Sequence, residues 1–205
     1  MFFDKVPDFS QIQFSSPKKS SDGKYFVSMN VKGENDVPEL ILCQLVPRFE
    51  CSNISDTALG VVMPTSCSQT QFVREIDDYV LASCKERKKE WFNSDEISDA
   101  YLEQAFMPSL KPVKKSSDFT MTFRTMKDME VYDKSRNQLD MTHVTKGCNI
   151  AVIYQIEGVW FTKTRFGITY KARQLMLHQN APLQKFGKCL FEDAEEDLDN
   201  VFPDE

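Results

Sequence analysis

Apolar residues recur at every second position near both ends of this chain and at every third or fourth position between them. That order of periods narrows the fold more than any other feature. Ile12 and Phe14 sit two apart, and after a polar turn ending at Gly23, Tyr25, Val27, Met29 and Val31 mark one face of a strand. The nearly continuous apolar run Leu40–Val46 predicts a strand buried on both faces and ended by Pro47, with residues 47–67 as a connecting loop rich in Ser, Thr and Pro. From Ser68 the period lengthens. Ser68 and Gln71 have the spacing of a capping box, and Phe72, Ile76, Tyr79, Val80 and Ala82 or Cys84 predict a helix to about Phe92. Asn93 or Ser94 would cap a second helix carrying Ile97, Tyr101, Leu102 and Ala105, stopped by Pro108. Alternation returns at Phe119, Met121 and Phe123, then at 131–132 and 149–156. A turn at Glu157-Gly158 leads to strands at 159–162 and 168–177. Strands, two helices and more strands predict a mainly β fold, an antiparallel β-barrel with a helical insertion at about 68–106.

Composition removes several function classes. The chain has 205 residues, which suits one domain with an appendage, and no apolar run approaches the roughly 20 residues of a membrane helix. Its 7 glycines are scattered, so neither GxGxxG nor GxxxxGK[ST] occurs and no glycine-rich phosphate loop is expected. The 6 cysteines form no CxxC, and the 2 histidines, His143 and His178, complete no zinc spacing, so neither a metal nor a cofactor is expected. The cysteines read as small apolar fillers in a reducing compartment. The first residues lack the basic start and apolar run of a signal peptide, which predicts an intracellular protein. Asp77 and Asp78 are adjacent carboxylates on an amphipathic helix, a pattern of solvated faces, and no nucleophile elbow or base is at hand. An enzyme is not expected.

The formal net charge of -6 conceals a polarised chain. Residues 192–205 hold eight acids and no base, and are expected to be a disordered tail beyond a domain at 1–191. Residues 107–191 hold 14 Lys and Arg against 6 Asp and Glu, and 158–191 hold six bases and no acid. A basic half followed by an acidic tail is the asymmetry of a polyanion binder that carries its own competitor. The same charges also suit a solvated face with a solubilising tail.

The stretch 158–174, GVWFTKTRFGITYKARQ, interleaves Trp160, Phe161, Phe166 and Tyr170 with Lys163, Arg165, Lys171 and Arg173. Single-stranded nucleic acid calls for such a mixture, aromatic faces for bases and cations for phosphates. Strand alternation puts Lys171 and Arg173 on one face and Tyr170 on the other, so either Tyr170 is core or the strand lies at a barrel rim.

Several motifs together, Lys89-Glu-Trp-Phe92, Phe106-Met-Pro-Ser-Leu-Lys-Pro112, the strand Phe119–Phe123, Lys146-Gly147, Gly158-Val-Trp-Phe161, Arg165-Phe-Gly167 and Tyr170-Lys171, resemble a family encoded by large double-stranded DNA viruses. Its members are OB-fold single-stranded DNA-binding proteins, similar in plan to the replication accessory protein of short-tailed phages. The resemblance covers about residues 70–177 and implies an OB-fold-like barrel that coats and protects single strands in viral DNA replication or recombination. It places Trp160, Phe161, Lys163, Arg165, Phe166, Tyr170 and Lys171 in or beside a DNA groove. Arg173, Arg124 and the basic loop with Lys111, Lys114 and Lys115 would add backbone contacts. Leu198, Val201 and Phe202 of the tail would meet a viral polymerase, helicase or primase in the host replication compartment, and a homodimer fits the plan. Tyr170 stands where the family pattern has Trp, and Phe202 is followed by three further residues instead of ending the chain. The competing expectation is a viral structural or protein-interaction barrel whose tail binds a basic partner.

Overall fold

The computed structural model describes residues 2–3, 9–19, 23–33, 37–127 and 129–178. Strands run in the order β1 Phe2–Phe3, β2 Ile12–Phe14, β3 Lys18–Lys19, β4 Tyr25–Lys32, β5 Pro38–Ile54 and β6 Ala58–Met63. Helices α1 Ser68–Glu86, α2 Lys88–Phe92 and α3 Asp99–Ala105 follow, and then strands β7 Phe106–Met107, β8 Leu110–Pro112 and β9 Phe119–Arg124. The described chain ends with β10 Glu130–Asp133, β11 Gln138–Leu139, β12 Asn149–Phe161 and β13 Phe166–His178. Tail residues Leu198, Val201 and Phe202, with Cys189, lie outside the described residues.

Five strands close on themselves, because β12 pairs β5, β5 pairs β6, β6 pairs β9, β9 meets β13, and β13 returns to β12. Closure leaves none of the five as a bare edge. Four of these junctions are antiparallel as expected; the closing one is a single parallel bridge, Lys171 opposite Arg124. Inward positions alternate along each strand. Ile41, Cys43 and Leu45 of β5, Leu59, Val61 and Met63 of β6, and Ile150, Val152 and Ile156 of β12 are all buried. At the centre the rings of Phe123, Tyr154 and Tyr170 pack with centroids 5.1 to 6.3 Å apart, within the range where edge-to-face pairs add to burial. The helical insertion between β6 and β7 covers the expected span, and α1 buries Val73, Ile76, Val80 and Cys84 at helical spacing.

Several local expectations are corrected. Pro47 does not end its strand; β5 continues to Ile54 and pairs Phe49 with Ile150. A register shift between Ile150 and Val152 bulges residues 46–48 out of the ladder, so the missing proline N–H costs no hydrogen bond there. Residues 47–67 are therefore mostly strand. The run Leu40–Val46 is buried on one face only: Leu40 and Val46 are 44% and 40% exposed. Ser68 makes no capping box, since Cys67 is the N-cap with no side-chain bond and Ser68 donates to Gln69 Oε1 instead. The first helix breaks at Arg87, and Asn93 adopts φ 54 and ends α2 without starting the next helix, which Ser98 caps by accepting from the Tyr101 N–H. Glu157-Gly158 is a bulge within β12, not a turn, and the chain reverses at 162–165.

Candidate nucleic-acid interface

Register assigns each candidate residue to a side of the β12–β13 hairpin. Phe161 faces Phe166 across the pair, and both are core, at 5% and 2% exposure. They stack on each other at 5.8 Å and meet the edge of Phe92 from the helical insertion. Tyr170 is 3% exposed and opposes Ile156, which decides the alternative that strand alternation leaves open: it is core. The Ser109 hydroxyl lies 3.0 Å from its phenol oxygen and donates to Asp77 Oδ1 at 2.5 Å, while the Ser109 N–H donates to Asp77 Oδ2 at 2.9 Å. Asp77 is thus a buried strut between α1 and the barrel and not a solvated helix residue, and burial raises its carboxyl from 3.8 to about 6. Phe161, Phe166 and Tyr170 therefore stand behind the surface and offer no open ring to a base.

The residues between them point outward. Trp160 opposes Gly167 on β13 and Phe26 on β4, so the three share the outer face. A Cβ on Gly167 would lie 3.0 Å from the Met107 carbonyl oxygen and 3.1 Å from Trp160 Cζ2, and a Cβ on Gly158 would overlap the Val27 carbonyl oxygen and lie 2.9 Å from Phe26 Cζ. At these two positions glycine leaves room for an aromatic ring to lie across the sheet, and Gly158 also needs its φ of 152. Further along, Lys171 opposes Gln155, and a second bulge inserts Arg173, whose Nε donates to Gln155 Oε1 at 3.0 Å. Arg124 arrives from β9 at the closing bridge and pairs with Glu157, the bulge residue, at 3.2 Å. That exposed pair is a weak restraint that a phosphate oxygen can replace.

The structure therefore joins Arg124, Lys171 and Arg173 at the barrel seam, with Trp160 towards the hairpin tip. Lys111 opposes Thr120 on β9, four residues from Arg124 and on the same side of alternation, which puts it about 13 Å away. Lys114 and Lys115 are exposed in the following turn, Lys115 at φ 65. Lys163 and Arg165 lie apart from the seam, at the tip, where the Thr162 hydroxyl closes the turn by accepting from the Arg165 N–H. Phe26 was not anticipated from the sequence, although the signal is present: Val27, Met29 and Val31 define the buried face, so Phe26 is an aromatic on the polar one. Below the cations, the same outer face carries Leu40, Leu42, Ile153 and Met129 around a hollow of about 330 Å³ that Lys171 and Arg173 border.

Cys43, Cys51, Cys84 and Cys148 are buried free thiols, and burial pushes the Cys43 thiol up to about 12. Among the described residues no His, Cys, Asp or Glu group is arranged to hold a metal ion, and no helix is long and apolar enough to cross a membrane.

Fold and site together define a mainly β, closed-barrel protein with an inserted helical layer and a cationic, aromatic outer sheet face. The chain belongs to a family of unknown function, DUF5871, whose model matches residues 51–193. No curated protein matches it. Among solved structures it is similar to the single-stranded DNA-binding protein from bacteriophage Enc34, with 13% identity and a TM-score of 0.42 over 82% of this chain and 96% of that one. That phage protein in complex with single-stranded DNA gives 12%, 0.41, 82% and 93%. Gp2.5, a single-stranded DNA-binding protein encoded by bacteriophage T7, gives 12% and 0.45 over 68% of this chain and 92% of that one.

Proposed function

We propose that this protein binds single-stranded DNA non-catalytically along the outer face of β12 and β13. The observation that carries the reading is the barrel seam: Lys171 lies opposite Arg124, Arg173 follows one bulge on, and Trp160 with Phe26 continues the same face. Phosphates would follow the cations while bases lie on the two rings; such stacking is worth about 1–3 kcal/mol per base and tolerates any sequence. Lys111, Lys114 and Lys115 would extend the phosphate track along β9. In this reading the protein coats and protects single strands during viral replication or recombination inside the host cell. The acidic segment 192–205 competes intramolecularly for the same cations, acting at an effective concentration of order millimolar. DNA entry would release Leu198, Val201 and Phe202 to a polymerase, helicase or primase.

Fluorescence anisotropy with single- and double-stranded oligonucleotides across a salt series tests the reading. The expected result is preference for single strands and an affinity that falls with salt; equal affinity for duplex, or no binding, contradicts it. A second reading, a barrel that docks another protein or a second copy of itself, is favoured by the exposure of Leu40 and Val46 beside Leu42 and Ile153. Concentration-dependent dimerisation in sedimentation, without oligonucleotide binding, would select it.

A further inference from the structure

Behind the hairpin tip, the helical insertion and the barrel enclose a cleft of about 530 Å³. Tyr25 and Tyr101, 46% and 47% exposed, line it together with Trp91, Lys163 and Arg165. Lys19 lies 5.9 Å from the Tyr25 ring centroid. Glu90 is the one acid among the described lining residues, and Arg87 holds it at 3.0 Å.

Trp91 lines the cleft from its core side. It is 6% exposed, its ring is wedged edge-on against Phe14 and Phe161, and its indole N–H has no hydrogen-bond partner among the described residues. Tyr101 is held firmly on the opposite element. Its N–H is capped by Ser98, and α3 is tied back through Lys88 to Asp99 and Lys85 to Glu103, each at 2.6 Å. Asn93, in the left-handed conformation, turns the chain between Trp91 and that helix.

We infer that this cleft is a pocket for one nucleotide, the base lying on Tyr25 and Tyr101 while its phosphate lies at Lys163 and Arg165. The inference rests on the single-strand reading above for where the nucleotide comes from: Trp160 on the outer face and Lys163 at the cleft are three residues apart, at most about 11 Å of chain. A strand crossing the face would thus meet the cleft where the face ends. A hydrophobic side chain of another protein suits the site less well, since it brings no anion for the cations. A nucleotide, by contrast, brings an aromatic face for the tyrosines and a phosphate for Lys163 and Arg165.

The chain has two tryptophans, so Trp160→Phe leaves Trp91 as the sole indole reporter. The experiment titrates full-length Trp160→Phe with thymidine monophosphate, reading Trp91 fluorescence, and both the wild type and Trp160→Phe with a fluorescein-labelled eight-residue oligothymidylate, reading anisotropy and, in the variant, Trp91 fluorescence. Saturable change of Trp91 fluorescence with the mononucleotide is expected. Tyr101→Ala, a surface change expected to leave the melting temperature in place, should weaken that binding at least fivefold. Anisotropy that reports oligonucleotide binding while Trp91 responds to neither probe overturns the pocket and leaves the single-strand reading standing. A Trp91 response to the mononucleotide without oligonucleotide binding by the wild type supports the pocket and overturns the single-strand reading. Silence in both signals overturns both. Mononucleotide binding unchanged in Tyr101→Ala at equal melting temperature also overturns the pocket.

Discussion

Tyr170 and Lys171 are neighbours in the chain and belong to different halves of the molecule. The inner face of β13 carries Phe166, Tyr170, Ala172 and Leu175, all at most 3% exposed, whereas its outer face carries Lys171, Arg173 and Gln174, which keep contact with solvent. One strand thus builds both the core and the proposed interface, and alternation of side chains is what separates them. Aromatic and basic residues interleaved in sequence are consequently not interleaved in space. The rings mostly go inward to support the sheet, and the cations mostly go outward. At Trp160 and Phe26 an aromatic does share the cationic side, and there the neighbouring glycines leave it room.

The comparison breaks most visibly if inner residues are changed. Tyr170→Ala removes a buried ring packed against Phe123 and Tyr154 and should cost about 3–5 kcal/mol of stability, read by urea denaturation. A loss under about 1 kcal/mol would mean that the inner assignment is wrong. The Asp77 strut behind Tyr170 gives a pH test. Because the folded chain holds this proton more tightly than an unfolded chain with a carboxyl near 3.8, the stabilisation is full below about pH 4 and is lost as pH rises through about 6, by about 3 kcal/mol. Asp77→Asn cannot titrate, so its melting temperature should vary less between pH 4.5 and 7.5 than that of the wild type. Identical profiles would place the titration elsewhere. On the outer face, Trp160→Ala should cost about 1–3 kcal/mol of binding, and Trp160→Phe should restore most of it. A variant that melts far lower yet binds DNA with unchanged affinity would move Trp160 to the core side of the comparison.

The order of periods made the barrel and its helical insertion legible, because a stretch with a two-residue period buries one side only as a strand and a stretch with a longer period does so as a helix. The cations Arg124, Lys171 and Arg173 could be named from charge, but their meeting could not, since it depends on a closing bridge between residues 47 positions apart. Pro47 misled because a bulge, invisible in composition, takes it out of the ladder. Asp77 misled because Ser109, thirty-two positions away, supplies the bonds that let a carboxylate lie buried. Tyr25 and Tyr101 read as ordinary members of apolar faces, and only the packing of the insertion against the hairpin tip leaves them open at a cleft.

The claim that Lys171 and Arg173 contact phosphates is tested most directly by the slope of log Kd for an oligothymidylate against log salt, in the wild type and in the Lys171→Ala/Arg173→Ala double variant. Each phosphate contact on a single strand contributes about 0.7 to that slope, so the double variant should show a slope lower by about 1.4 at an unchanged melting temperature. Equal slopes in the two proteins would contradict the account.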